Sequence, residues 1–354
     1  MRREVMNWLV CPVCAGSLAL EEFTVRANDV IEGAIHCQCG ESFPVIRSVP
    51  RMLCSNLRGS LAGIYPDFYA KYARLLKVEP NLGYGSHMVV KEETMERFGY
   101  EWTQFPEYEC DNFQTFVQPL PSDFFEGKLG LDVGCGAGRH ARQASQLGAE
   151  IVAVDLSQAV DSAFKNTSNN IRVHVIQADV YHLPFSRGIF DFIYSLGVLH
   201  HLPEPEKAYH ALPPYLKSGG ALFVWLYAHS TRKEFLEWLR YVAQKMSNKG
   251  IRHMAWLCNL VDYGIAVNLY RMLRAVPGLG DAAERAAPLR VREYARHGYS
   301  VSYTDWYDRL SAPVTNYYRE DELRGWLARS GLSNTRLLPE GDSWWWLYGE
   351  ASDR

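Results

Sequence analysis

Residues 129–156 read LGLDVGCGAGRHARQASQLGAEIVAVDL. An apolar strand, Leu129 to Val133, runs into the loop Gly134-Cys135-Gly136-Ala137-Gly138. A helix follows, then Gly148, then a second apolar strand from Ile151 to Val154 that ends on Asp155 and Leu156. This is one βαβ unit, the building block of a parallel α/β sheet. The glycines permit unusual backbone angles and, lacking side chains, let backbone N–H groups reach a ligand. Asp155 lies 17 residues after Gly138, at a strand tip where a carboxylate can accept from both hydroxyls of a ribose.

Asp132 stands two residues before the first glycine. A pyrophosphate at a helix N-terminus favours neutral or positive surroundings, whereas an acid here suits a cationic group such as an amino acid's ammonium. The string Asp132-x-Gly134-x-Gly136-x-Gly138 resembles the first motif of the class I S-adenosylmethionine (SAM) methyltransferases. The resemblance implies an α/β fold with a Rossmann-like seven-stranded core. It implies SAM as cofactor, with Asp132, Gly134, Cys135, Gly136, Gly138, Asp155 and Leu156 around it.

Further motifs follow in order. Ile171 to Ala178 reads as a third strand, and Gln177 to Phe185 (QADVYHLPF) resembles the family's third motif. That implies that Asp179 accepts from the adenine amino group and that the Val180 N–H faces the ring. Phe190 to Leu196 is a fourth strand with Ser195 near its end as a further cofactor residue, and Gly197-Val198-Leu199-His200-His201-Leu202 continues as in that family. Ala221 to Leu226 is a fifth strand ending on Tyr227. Acids at the carboxyl ends of successive strands suit one ligand lying across an open sheet.

Cys11-Pro12-Val13-Cys14 and Cys37-Gln38-Cys39 have the look of a thiolate site for tetrahedral zinc, which a segment this small needs for lack of a core. His36 lies at the knuckle distance from Cys39, so the fourth ligand is Cys37 or His36. With Phe43-Pro44-Val45-Ile46 and Val49-Pro50-Arg51-Met52-Leu53, residues 1–53 resemble a Trm112-like zinc ribbon. Four protein ligands would make the metal structural.

Residues 54–127 read as a helical linker or cap, with a helix from Glu92 to Tyr100. Some ribbon-fused SAM methyltransferases carry a similar F-x-x-x-W segment before the core, which implies that Tyr100 and Trp102 cap the cofactor. Residues 128–227 and 301–354 form the expected core, with a helical insert at 228–300 serving as lid or oligomer surface. Helical spacing is visible over Arg232 to Met246 and Trp256 to Leu273. Trp306 to Val314 reads as a loop, Glu320 to Ser330 as a helix, and Leu332 to Leu338 and Trp344 to Tyr348 as the closing strands. Tyr317, Tyr318 and Trp344 to Trp346 could stack on a flat acceptor or on the sulfonium.

The net charge of −3 gives no general pull toward nucleic acid or an anionic membrane. The insert holds 12 Lys and Arg against 6 Asp and Glu, so it is +6 and the remainder −9. The first residues lack an apolar run long enough for a signal peptide, and the longest later apolar run is too short to span a bilayer, so a cytoplasmic protein with no membrane partner is expected. The function implied is methyl transfer from SAM to a small-molecule acceptor, at oxygen or nitrogen, with His200 and Tyr227 as catalytic candidates and a homo-oligomer as an open option. Two alternatives are an RNA base methyltransferase, against which the acidity and the lack of a basic ribbon speak, and a SAM-fold binding or activator protein.

Overall fold

The computed structural model describes residues 1–72, 86–105, 112–118, 120–229, 234–340 and 344–352. Its centre is a seven-stranded sheet in the order β10-β11-β9-β8-β5-β6-β7. The strands are β5 (Leu129–Val133), β6 (Glu150–Asp155), β7 (Val173–Gln177), β8 (Phe190–Leu196), β9 (Leu216–Tyr227), β10 (Leu332–Glu340) and β11 (Trp344–Ala351). β5 to β9 are parallel, and β11 pairs antiparallel with both β9 and β10. The parallel strands are buried on both faces, which is why they read as continuous apolar runs and not as alternation. The chain steps outward from β5 to β7, then returns to place β8 on the other side of β5. Loops leaving β5 and β8 therefore diverge and open a crevice at their carboxyl ends.

Ahead of this core lies a second sheet, β1 (Leu18–Arg26), β2 (Asp29–Cys37), β3 (Ser42–Ile46) and β4 (Val49–Pro50). It docks on the β7 edge. Arg51 bridges Gln177 in parallel, and Met52 N–H donates to Gln177 O at 2.8 Å. Val5, Leu9, Phe43 and Met52 share one buried cluster with Val152, Val154 and Ile176. Arg51 is fully buried at this seam. Its guanidinium donates to Gln177 Oε1, Ile46 O and Asp161 Oδ1 and lies over the Tyr65 ring.

The long helix α1 (Ser86–Gln104) crosses the strand ends, held by Ser162 Oγ donating to Trp102 O at 2.8 Å. α2 (Arg139–Gln146) and α3 (Ala159–Thr167) are the crossover helices. The insert contains α4 (Glu234–Ala243), α5 (Asn248–Val261), a π-helical segment (Asp262–Val267) and α6 (Asn268–Ala275). The first expected insert helix included residues 232 and 233, which lie outside the described residues.

One expected loop is a helix. α7 (Tyr299–Ser311) takes in most of Trp306 to Val314, and the helix ends before Pro313. Trp306, Tyr307 and Leu310 fall at helical spacing and are buried, and Trp306 Nε1 donates to Asp262 Oδ2 at 3.0 Å. α7 runs across position 300 and packs on α4 and α5. α8 (Glu320–Arg329) precedes the closing strands. Among the described residues, no helix is long and apolar enough to cross a membrane.

Candidate functional site

The crevice between the β5 and β8 loops is a cleft. Gly134 to Ala137 follow β5, Asp155 to Ser157 end β6, Asp179 and Val180 follow β7, and Leu196 to Val198 end β8. α1 roofs it through Met95, Phe98 and Trp102, a row at i, i+3 and i+7 that lies on one helix face. Tyr100, two residues from Trp102, must then point away. It packs beside Tyr307 with ring centroids 5.9 Å apart, so its expected cofactor contact is corrected.

The loop needs its glycines for geometry. Gly134 and Gly136 have φ of 82° and 51°, and a Cβ on Gly134 would sit 2.4 Å from Val198 Cγ1. The expectation that these amides face a ligand fails. The N–H groups of Gly134 and Cys135 donate to Val154 O, that of Gly136 to Asp155 Oδ2, and that of Gly138 to Cys135 O. A loop that spends four of its five amides within the protein is a poor phosphate cradle and suits a ligand that brings its own donors, such as an ammonium.

Asp132 fits that ligand from beneath. It is 2% exposed, does not line the cleft, and its Oδ2 has no hydrogen-bond partner. Burial pushes its pKa up to about 7, against the pull of the Tyr194 phenol. A buried carboxylate oxygen without a donor is costly, and a cation above the loop would relieve it. Gly138 likewise lies behind the surface, with Ala163 where a Cβ would go. Ser195 is corrected too: it is fully buried, and its hydroxyl donates to Val133 O at 2.9 Å, tying β8 to β5.

Asp155 and Asp179 face the cleft, but both are engaged. Asp155 Oδ1 accepts from the Ser157 N–H (2.8 Å) and hydroxyl (2.7 Å), and Oδ2 from the Gly136 N–H (3.0 Å). Each carboxylate oxygen accepts about two hydrogen bonds, so capacity remains for a ribose hydroxyl at Oδ2. Asp179 Oδ2 accepts from Lys91 Nζ at 2.7 Å, and Oδ1 from the Tyr181 N–H at 3.1 Å. Burial works to raise the Asp179 pKa, but His182 and Lys91 outweigh it and hold the carboxyl below its ordinary value. Lys91, on α1, is a residue the sequence reading missed, because its partner lies 88 positions away.

The acceptor side also differs from expectation. His200 is fully buried and does not line the cleft, and its ring lies 3.9 Å from that of Tyr227, which is itself behind the lining. His201 lines the cleft instead. Burial lowers its pKa to about 4, so it is a neutral imidazole. Nδ1 meets Val314 O at 2.9 Å and must carry the proton there, which leaves Nε2, without a partner, as a lone-pair acceptor. From α7, Asp308 reaches the cleft. Burial, then Asp305, raise its pKa to about 7. Next to it, Glu101 is fully buried with neither carboxylate oxygen hydrogen-bonded, and burial, then Asp308, raise its pKa. Reading 306–314 as a loop hid Asp308. The helical spacing of Trp306 and Leu310 could have revealed it.

The aromatic residues near the C-terminus are not part of the cleft. Trp345 Nε1 donates to Tyr318 O, and Trp344 and Trp346 line a separate pocket with Trp225 and Phe116.

At the N-terminal sheet, Cys11, Cys14, Cys37 and Cys39 converge with all sulfurs within 4.8 Å of one another. Cys11 to Cys39 is 3.7 Å and Cys14 to Cys37 is 3.5 Å. His36 turns to the other face of β2, where its ring meets Ser42 Oγ and Glu21 Oε2, so the fourth member is Cys37.

Residues 131–224, which hold all of the β5 and β8 side of the cleft, match the family described as "Methyltransferase domain". That stretch is similar in sequence to methyltransferase domains. The phosphoethanolamine N-methyltransferase 2 of Caenorhabditis elegans is 29% identical to this chain over 148 residues, 40% of this chain and 33% of its own length. The tRNA U34 carboxymethyltransferase of Pseudoalteromonas atlantica is 30% identical over 128 residues, 35% of this chain and 37% of its own. Human N-acetylserotonin methyltransferase, solved with SAM, covers 84% of this chain and 67% of its own at 13% identity and a TM-score of 0.44. The chain spans between a third and a half of the length of these two curated relatives and of others it matches. The methyltransferase domain is thus shared by relatives that differ in acceptor.

Proposed function

We propose that the protein transfers a methyl group from SAM to a small-molecule acceptor, at oxygen or nitrogen, releasing S-adenosylhomocysteine. The observation that carries this reading is the unpartnered Asp132 oxygen beneath a loop that spends four of its five amides within the protein, with Asp155 and Asp179 on the next two strand ends. These three acids match the ammonium, ribose and adenine amino groups of one molecule. The Asp179 carboxylate exchanges or shares its Lys91 contact when the adenine arrives. SAM brings an activated methyl group, so the chain's own task is to orient, desolvate and remove a proton. Met95, Phe98 and Trp102 exclude water from above. Asp308, whose carboxyl ionises near neutral pH, takes the proton from the acceptor's O–H or N–H, and the His201 Nε2 lone pair positions that hydrogen.

In this reading residues 1–53 form a zinc ribbon with Cys11, Cys14, Cys37 and Cys39 as structural ligands, and residues 228–300 act as a lid-like insert on the core. Four thiolates leave no open position, so zinc would staple the small sheet and do no chemistry. A net charge of −3 supports a small acceptor over RNA. The test is to incubate the protein with methyl-tritiated SAM and a cell extract, then separate label by size and nuclease sensitivity. Label in small, nuclease-resistant material is expected. Label in nuclease-sensitive polymer would overturn the acceptor class.

A further inference from the structure

The insert exposes an apolar face that neither the cleft nor the core uses. On α5, Leu257, Leu260 and Val261 are 56%, 49% and 62% exposed, and on α6 and just beyond it, Leu269, Met272 and Val276 are 52%, 69% and 44% exposed. At ~100° per residue a continuous α-helix would set these two rows about 100° apart. The six-residue π-helical segment between them winds looser by about one residue and turns the second row back over the first. One stripe then runs the length of both helices. The opposite side is buried in the protein through Ile251, Ala255, Asn259, Val267 and Tyr270. The helix run is therefore apolar on two faces, and only the inner one has a partner among the described residues. On α4, Trp238 and Tyr241 are 58% and 60% exposed.

Charge decides what covers the stripe. The insert is +6 and the rest of the chain −9. Lys245, just past α4, and Lys249, in the first turn of α5, are exposed, while Arg252, Arg271 and Arg274 reach back to Gln104, the Ala295 carbonyl and Glu284. A second copy pairing through this face would bring two positive inserts together, because a two-fold interface meets itself. An anionic bilayer attracts the positive insert and repels the acidic remainder, which orients the molecule. Exposed Leu, Met and Trp between Lys and Arg are the composition of helices that lie in a membrane interface without spanning it.

We propose that the α4–α6 face is a docking surface for an anionic lipid bilayer, onto which the insert lies flat. This goes against the expectation of no membrane partner, which rested on the whole-chain charge and on the lack of a spanning segment. The proposal does not depend on the acceptor or on SAM binding. The test is co-sedimentation of the full chain with phosphatidylcholine vesicles, with and without phosphatidylglycerol, over a salt series. Light scattering in vesicle-free buffer gives the oligomeric state. Binding to the phosphatidylglycerol vesicles that weakens with salt is expected, together with a monomer in buffer. The double substitution Leu257→Glu with Met272→Glu changes only exposed side chains and should weaken binding at least about tenfold while SAM affinity and melting stay unchanged. Lys245→Glu with Lys249→Glu should abolish the preference for anionic vesicles. No association with anionic vesicles at low salt would overturn the proposal. So would a dimer in buffer that the Leu257→Glu, Met272→Glu variant dissociates, since a second copy would then be the occupant.

Discussion

Replacing Asp155 by asparagine tests the logic of the cofactor site sharply, because the side chain keeps its shape and loses its symmetry. In the native protein Oδ1 accepts from Ser157 twice, and Oδ2 accepts from the Gly136 amide. An asparagine can place its oxygen on only one side. With the NH2 group at the Oδ2 position, it faces the Gly136 N–H as donor against donor, and flipped it faces the Ser157 N–H. Either way a largely buried donor is orphaned, which costs about 1–3 kcal/mol. With the NH2 group at Oδ2 the ribose hydroxyl meets a donor, and in the flipped form it meets a neutral oxygen in place of a charged one. With hydrogen bonds to charged groups contributing about 1.5–3 kcal/mol each against ~1 for neutral pairs, weakening or losing that one bond costs the cofactor about 0.5–3 kcal/mol. That is roughly 2- to 150-fold in Kd. Titration calorimetry of SAM into wild type and Asp155→Asn reads the affinity, and a thermal melt reads the loop. An unchanged Kd and an unchanged melt would refute the assignment of Asp155 to the ribose and to the loop.

Other outcomes follow from the same physics. Asp132 and Asp308 both have pKa values raised to about 7, chiefly by burial, so between their unfolded values near 4 and 7 the folded state holds more protons than the unfolded one. Stability should therefore fall as pH rises across that window and level off above it. Melts of Asp308→Asn from pH 4 to 8 should slope less than wild type, and an equal slope would remove Asp308 from the account. Cys14→Ser should lose bound zinc, read by elemental analysis, and lower the melting temperature, whereas a metal-free wild type of equal stability would dispose of the ribbon's metal. Arg51→Met removes a fully buried guanidinium and its hydrogen bonds to Gln177, Ile46 and Asp161, while Asp161 keeps Tyr65 and Arg47, so urea unfolding should show a loss of about 1–3 kcal/mol. A loss under about 1 kcal/mol would mean that the two sheets are held by apolar contact alone.

Much of this was legible in the chain. The β5–α2–β6 unit could be read because a parallel strand buried on both faces leaves an unbroken apolar run, and because the loop's backbone angles admit only glycine. The four cysteines could be paired by spacing, but not the choice between Cys37 and His36. That depends on which face of β2 each side chain takes, and the turn that follows decides it. The catalytic side was obscure for a different reason. Asp308, which lines the cleft, and Lys91, which bonds its Asp179, come on helices from outside the 131–224 segment, so no local pattern ties them to it. His200 and His201 are adjacent, and only the Val314 carbonyl, which fixes the His201 tautomer, shows which of them can act. Tyr100 was misread because Trp102 lies two residues on, which puts the pair on opposite sides of a helix.

The most direct test of the central claim is a crystal structure with S-adenosylhomocysteine bound. The account predicts a ribose hydroxyl on Asp155 Oδ2, its adenine between Asp179 and Val180 with Lys91 displaced or shared, and its ammonium over the Gly134–Gly136 loop above Asp132. A ligand that lies elsewhere, or that leaves Asp155 and Asp179 with protein partners alone, would contradict it.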